Sequence, residues 1–303
     1  MYFYFMSKMP SYEGFPDKFT KEQIDERYDL VARQKQNYRV TRALSYLLRG
    51  AVRPNVSYQN REKVEVAVKS KNPIALVANH QYLLDPFVTV AAVTKEKSLA
   101  DIQQSRRSAR REGRAEPKHT WPMAKVDLYR ESDKVGRFAR LLLKKVAGIP
   151  IVREGKDCED EDKGYYSRRQ GMRVVKQNLL QSINSLSFPQ GTREESRFDP
   201  EATKHGIASI AVAAAVEMSR AYPETELNPE GVWIMPFAIS YPQRSTLAIL
   251  NPFKRGADLH FAEPMFISAD DTVPDSSMRQ FVDQTHHEAM GRIDEAVEFL
   301  EVA

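Results

Sequence analysis

The chain has 303 residues, 42% of them hydrophobic. That is enough for one large domain, or one domain with a small appendage, and for a core that needs no structural metal. Its one cysteine, Cys158, excludes an intrachain disulfide and any cysteine-rich zinc site and points to a reducing compartment, while a formal net charge of +4 gives no global attraction for nucleic acid.

The opening Met1–Met6 is aromatic, without a basic region or a cleavage signal, so no signal peptide is expected. The longest apolar run, Ile207–Val216, is broken by Ser209 and is too short to span a membrane. The expectation is a soluble or peripherally membrane-associated protein of the cytoplasm or an organelle stroma. Lys21–Leu48 reads as helix, with Ile24, Tyr28, Leu30, Val31, Tyr38, Leu44 and Leu47 recurring at helical spacing until Pro54 closes the region. This predicts an N-terminal helical region over residues 1–55, ahead of an α/β domain over residues 56–303.

Pro73–Ala78 is a short continuous apolar run that suits a strand buried on both faces. Asn79-His80 and a short turn follow, then Asp85-Pro86, a helix-start signal that Phe87–Val93 continues. Further apolar runs, Gly148–Val152, Ser185–Phe188 and Val232–Ile239, accompany helix-like stretches at Val135–Val146, Gln170–Gln181 and Gly206–Arg220. An amphipathic helix over Ser276–Glu301 ends the pattern. The alternation predicts an α/β fold: a mixed, largely parallel sheet flanked by helices, with an N-terminal helical cap. Functional loops are then expected beyond the carboxyl ends of the strands. The charged segments Ala100–Pro117 and Glu154–Arg169 read as partly mobile surface insertions. The first carries Arg106, Arg107, Arg110, Arg111 and Arg114, a basic cluster that suits an anionic surface or an ordinary solvated helix face. Cys158 sits in the acidic run Asp157–Asp162, a poor setting for a reactive thiolate.

Four strand ends carry the chemistry. In Asn79-His80-Gln81-Tyr82-Leu83-Leu84-Asp85, a histidine suits proton abstraction from an alcohol near neutral pH, and a carboxylate on its second nitrogen would fix the tautomer. Taken alone, the pair is better read as a satisfied histidine and an ordinary helix cap. Phe188-Pro189-Gln190-Gly191-Thr192-Arg193 combines a turn, a glycine that permits close backbone approach and an arginine fork suited to phosphate. Gly148-Ile149-Pro150-Ile151-Val152-Arg153 delivers another arginine, and Ile234-Met235-Pro236-Phe237-Ala238-Ile239-Ser240 reads as core or acyl-pocket wall.

These four blocks, in this order over about Pro73–Tyr241, resemble the glycerolipid acyltransferases, which include glycerol-3-phosphate and 1-acylglycerol-3-phosphate acyltransferases. Met123-Ala124-Lys125 is similar to that family's lysine ahead of its second block. The resemblance implies a direct transfer in which His80, oriented by Asp85, takes the proton of the acceptor hydroxyl as it attacks an acyl thioester. Arg193 would clamp the acceptor phosphate, with Gly191 and Thr192 shaping its site and Arg153, Lys125 and Arg197 assisting. No metal, bound cofactor or covalent enzyme intermediate is implied. The donor would be acyl-CoA or acyl carrier protein, and a membrane surface is an expected partner.

Gln190 departs from the glutamate the family carries there. The N-terminal helical region, and the charged stretch at Tyr166-Ser167-Arg168-Arg169-Gln170, resemble the soluble plastid-type glycerol-3-phosphate acyltransferases and favour glycerol-3-phosphate as acceptor. Lysophosphatidate is the alternative acceptor, and a catalytically silent lipid-binding protein on the same fold is a second reading. A serine hydrolase lacks support, since no Gly-x-Ser-x-Gly elbow occurs.

Overall fold

The computed structural model describes residues 15–33, 43, 46–47, 49–81, 85–103, 120–125, 147–153, 157–190, 198–221, 229–242, 256–268 and 277–302. Its described elements, in chain order, begin with α1 (Lys21–Ala32), β1 (Asn55–Tyr58), α2 (Arg61–Lys69), β2 (Ile74–Ala78) and α3 (Asp85–Lys95). A 3-10 segment (Lys97–Gln103) leads to β3 (Thr120–Lys125), β4 (Ile149–Ile151), α4 (Glu161–Leu180) and β5 (Asn184–Ser187). The remainder are α5 (Gly206–Ala221), β6 (Gly231–Ser240), β7 (Asp258–Phe261), β8 (Met265–Ser268) and α6 (Met278–Val302).

All five residues of β2 are buried, and its alternation explains why. Ala75 and Val77 point into one core, shared with Val174, Val175 and Leu179 of α4, Ile210 and Ala211 of α5, and Met290 and Ile293 of α6. Ile74, Leu76 and Ala78 point into a second core with Val64 and Val68 of α2, Val88 and Ala92 of α3, and Leu99 and Ile102. A strand covered on both faces has no polar side, hence the uninterrupted apolar run. Each fully buried aliphatic side chain in these layers contributes about 1.5–3 kcal/mol.

The eight strands form one mixed sheet in the order β1-β7-β6-β2-β5-β3-β4, with β8 also paired to β6. The pairs of β2 with β5, β2 with β6, β3 with β5, β3 with β4 and β1 with β7 are parallel. Antiparallel pairing is confined to β6, whose residues 231–234 meet β8 and 237–240 meet β7. Pro236 falls between those two stretches, where a missing N–H costs the ladder least. The expected fold class therefore holds: a mostly parallel sheet between helical layers.

Several expectations shift. The predicted helix over Lys21–Leu48 is continuous only over Lys21–Ala32, opened by a reciprocal Thr20–Gln23 capping box and closed at Arg33. Further helical residues extend to Val52, with 34–42 outside the described residues. Residues 161–169 of the supposed insertion Glu154–Arg169 are the first half of α4, N-capped by Asp160. They are held by α1, whose Tyr28 hydroxyl donates to Pro150 O at 3.0 Å and lies 3.2 Å from Ser167 Oγ. Gly171 makes that packing possible, since a Cβ there would meet Ile151 Cδ1 at 2.8 Å and Pro150 O at 3.2 Å. The helix expected over Val135–Val146, the basic cluster Arg106–Arg114 and the opening Met1–Met6 lie outside the described residues. Among the described residues, no helix is long and apolar enough to cross a membrane.

Candidate active site

β2 lies between β5 and β6 and runs parallel to both, so the segments leaving the carboxyl ends of these three strands meet. Asn79, the first residue beyond β2, is buried and spans to β6: its Nδ2 donates to Ile239 O at 3.0 Å and its Oδ1 accepts from Ile239 N at 2.7 Å. The bidentate clamp fixes where the chain emerges, and His80 follows directly.

His80 is held on three sides. Its Nδ1 lies 2.8 Å from Asp85 Oδ2. Its backbone N–H donates to Gln190 Oε1 at 2.8 Å. Its ring stacks on Phe188, with centroids 4.5 Å apart and planes at 24°. A carboxylate accepts only, so Nδ1 is the donor to Asp85, and in the neutral ring Nε2 is the nitrogen left to accept a proton.

Asp85 opens α3 and its side chain is wholly buried, whereas the imidazole is 18% exposed. Its carboxylate turns back toward the loop: Oδ2 accepts from Gln81 N at 2.7 Å as well as from His80, and Oδ1 accepts from the Tyr241 hydroxyl at 2.5 Å. A buried carboxylate with three donors is a satisfied one. The Thr89 hydroxyl, one turn on, donates back to Asp85 O at 2.8 Å. A partly exposed imidazole whose inner nitrogen is tied to a buried carboxylate can take a proton from a hydroxyl and carry the resulting charge.

The expected phosphate-binding residues are distributed unevenly. Gly191, Thr192, Arg193 and Arg197 lie outside the described residues. Their loop begins at Phe188-Pro189-Gln190 beside His80 and is tethered to the start of α5 where Lys204 N donates to Pro189 O at 3.0 Å. Lys125 ends β3, two strand spacings from β2, or about 10 Å. Arg153 follows β4, three spacings away, or about 14 Å. Its guanidinium is forked onto Asp157, with Nε 3.0 Å from both carboxylate oxygens and Nη2 2.6 Å from Oδ1. Asp157 also accepts from Arg153 N at 2.8 Å, so the pair closes its own loop.

Tyr241 went unrecognised in the sequence. A tyrosine ending an apolar strand reads as core, and only the meeting of β6 with β2 exposes its role. Gln190, left without a role above, has one: its carbonyl anchors the backbone of His80. Cys158 has the poor thiolate setting that its acidic neighbours suggest. Burial, then its hydrogen bond to Asp17 Oδ1 at 2.9 Å, pushes the thiol up to about 12.

No protein-family model and no curated protein matches this chain. Among solved structures, the chain is similar to the 1-acyl-sn-glycerophosphate (LPA) acyltransferase PlsC from Thermotoga maritima, with a TM-score of 0.42 and 14% sequence identity over 96% of this chain and 86% of that one. At that score and identity, the reading of the chemistry rests on the site geometry alone.

Proposed function

We propose that this chain is an O-acyltransferase that moves a fatty acyl group from an acyl thioester to the hydroxyl of glycerol-3-phosphate. The observation that carries the reading is the His80 Nδ1–Asp85 Oδ2 contact of 2.8 Å, with the carboxylate buried and the imidazole reaching solvent. Nε2 takes the proton of the acceptor hydroxyl as its oxygen attacks the thioester carbonyl. The carbon–oxygen bond forms, the carbon–sulfur bond breaks, and the imidazolium returns its proton to the departing thiolate. Asp85 stabilises the imidazolium in between.

The acceptor phosphate is assigned to Arg193, with Gly191 and Thr192 and assistance from Arg197, because their loop starts beside His80 and an arginine fork matches phosphate; Lys125, at the end of β3, would assist from two strands away. Arg153 would serve only by sharing a fork that Asp157 already occupies. The donor is acyl-CoA or acyl carrier protein. A silent lipid-binding protein would have no use for a buried carboxylate held by three donors and aimed at a partly exposed imidazole.

The test is an acyl-transfer assay offering glycerol-3-phosphate and lysophosphatidate with both donors. Product on glycerol-3-phosphate, abolished by His80→Ala, with Arg193→Ala mainly raising the KM for the acceptor, is the expected result. Product on lysophosphatidate alone would move the acceptor, and no product on either would overturn the enzyme reading.

A further inference from the structure

Tyr241 stands one residue beyond β6, with its ring buried in the core shared with α3 and its hydroxyl 2.5 Å from Asp85 Oδ1. Two residues earlier, Ile239 is clamped to Asn79 by a pair of hydrogen bonds. The backbone carrying Tyr241 is therefore locked to the backbone carrying His80, and the two side chains meet on opposite oxygens of one carboxylate. A carboxylate turns about its Cβ–Cγ bond, and that rotation exchanges its oxygens. His80 Nδ1 and Gln81 N both engage Oδ2, while Tyr241 holds Oδ1 from the other side.

We infer that Tyr241 is a positioning residue for the His80–Asp85 pair: its hydroxyl fixes the rotation of the Asp85 carboxylate so that Oδ2 is presented to His80 Nδ1. The inference rests on the reading of His80 as the base. Tyr241 acts through Asp85 and touches no reacting atom, so its removal costs turnover rather than substrate binding. A hydrogen bond to a charged group is among the stronger ones a protein makes. The buried ring also packs, and Tyr241→Phe keeps that packing while deleting the hydroxyl.

The experiment uses the full chain. Tyr241→Phe is expected to lower kcat by about tenfold to a hundredfold with both KM values within about twofold. In the Asp85→Ala background the same change should cost less than about threefold, because the carboxylate it orients is gone. A substrate-free readout accompanies the kinetics: in protein labelled with 15N-histidine, the His80 ring signals, identified by their loss in His80→Ala, report which nitrogen carries the proton. Tyr241→Phe should displace the His80 Nδ1 signal and admit the second tautomer. Unchanged His80 signals, or a kcat loss that adds in full to that of Asp85→Ala, would overturn the positioning role. If the parent protein transfers no acyl group, the proposed function fails, and the ring signals still decide whether Tyr241 orients the pair.

Discussion

Asp85→Asn separates the charge of the proposed catalytic pair from its geometry. An amide can place its carbonyl oxygen where Oδ2 lies, facing Gln81 N and His80 Nδ1, and turn its NH2 toward Tyr241, whose hydroxyl rotates from donor to acceptor. The Nδ1–H tautomer then survives, and what is lost is the negative charge beside the imidazolium formed during transfer. Two unit charges about 4 Å apart at an effective dielectric of about 20 attract by about 4 kcal/mol. That corresponds to roughly a thousandfold in rate. The expected result is therefore a fall of about a thousandfold in kcat with the acceptor KM little changed, since a wholly buried Asp85 makes no contact with substrate. Thiol release from acyl-CoA in the presence of glycerol-3-phosphate gives a continuous assay, and a melting curve checks that the fold is retained. A loss smaller than about tenfold, or one that falls mainly on KM, would refute charge stabilisation by Asp85.

Asn79→Ala breaks both hydrogen bonds that join β2 to β6 at Ile239. With about 1–3 kcal/mol lost for each buried polar group left unmatched, the melting temperature should fall by roughly 4–12 °C, and a melt within about a degree of the parent would contradict the clamp. Cys158, its thiol raised to about 12, should react with iodoacetamide at pH 8 more than about a hundredfold more slowly than free cysteine. Asp17→Asn should speed that reaction, and alkylation of the parent at the free-cysteine rate would contradict the assignment. Burial, together with His205 and His287, lowers His286 from 6.5 to about 4. Between those values the unfolded chain binds a proton that the folded one does not, so stability falls as pH drops below 6.5, by up to about 1.4 kcal/mol per pH unit from this group. His286→Gln, which keeps a partner for Thr203, should flatten that limb of the urea midpoint against pH, and an unaltered slope would count against it.

The strands legible in the sequence are those whose surroundings are uniform. β2 and β6 bury apolar residues on both faces and announce themselves as runs. β1 and β7 do not, because each carries polar residues whose justification lies in the other. Asn55 Nδ2 donates to Asp258 Oδ1 at 3.0 Å, and Ser57 Oγ lies 2.8 Å from His260 Nδ1. Those partners stand 203 residues apart and match only through the parallel register of the two strands. The first half of α4 was misread for a related reason. Its charges look solvated in isolation, yet Tyr166 donates to Asp25 of α1 and Lys163 to Asp17 O, while Gly164 and Ser167 supply the buried face. At the site, the short loop between His80 and Asp85 was legible because both residues flank one turn. Tyr241 and the anchoring role of Gln190 were not, since they depend on which strands flank β2.

That strand order also explains how a histidine on a loop is held well enough for the base role proposed for it. A side chain after a strand has three freedoms that matter here: the placement of its backbone, the tilt of its ring and the choice of tautomer. Each is removed by a different neighbour. Gln190, past the end of β5, takes the backbone N–H; Phe188, at the same end, covers one ring face; Asp85, at the head of α3, takes Nδ1. Because β5 and β6 flank β2 directly, none of these contacts has to reach across an intervening strand. Arg153 illustrates the opposite case: it leaves β4, three strands away, and spends its fork on Asp157. Loss of Gln190 or Phe188 should accordingly restore one freedom and lower turnover in part, whereas loss of Asp85 removes orientation and charge together, which is why the largest effect is expected there.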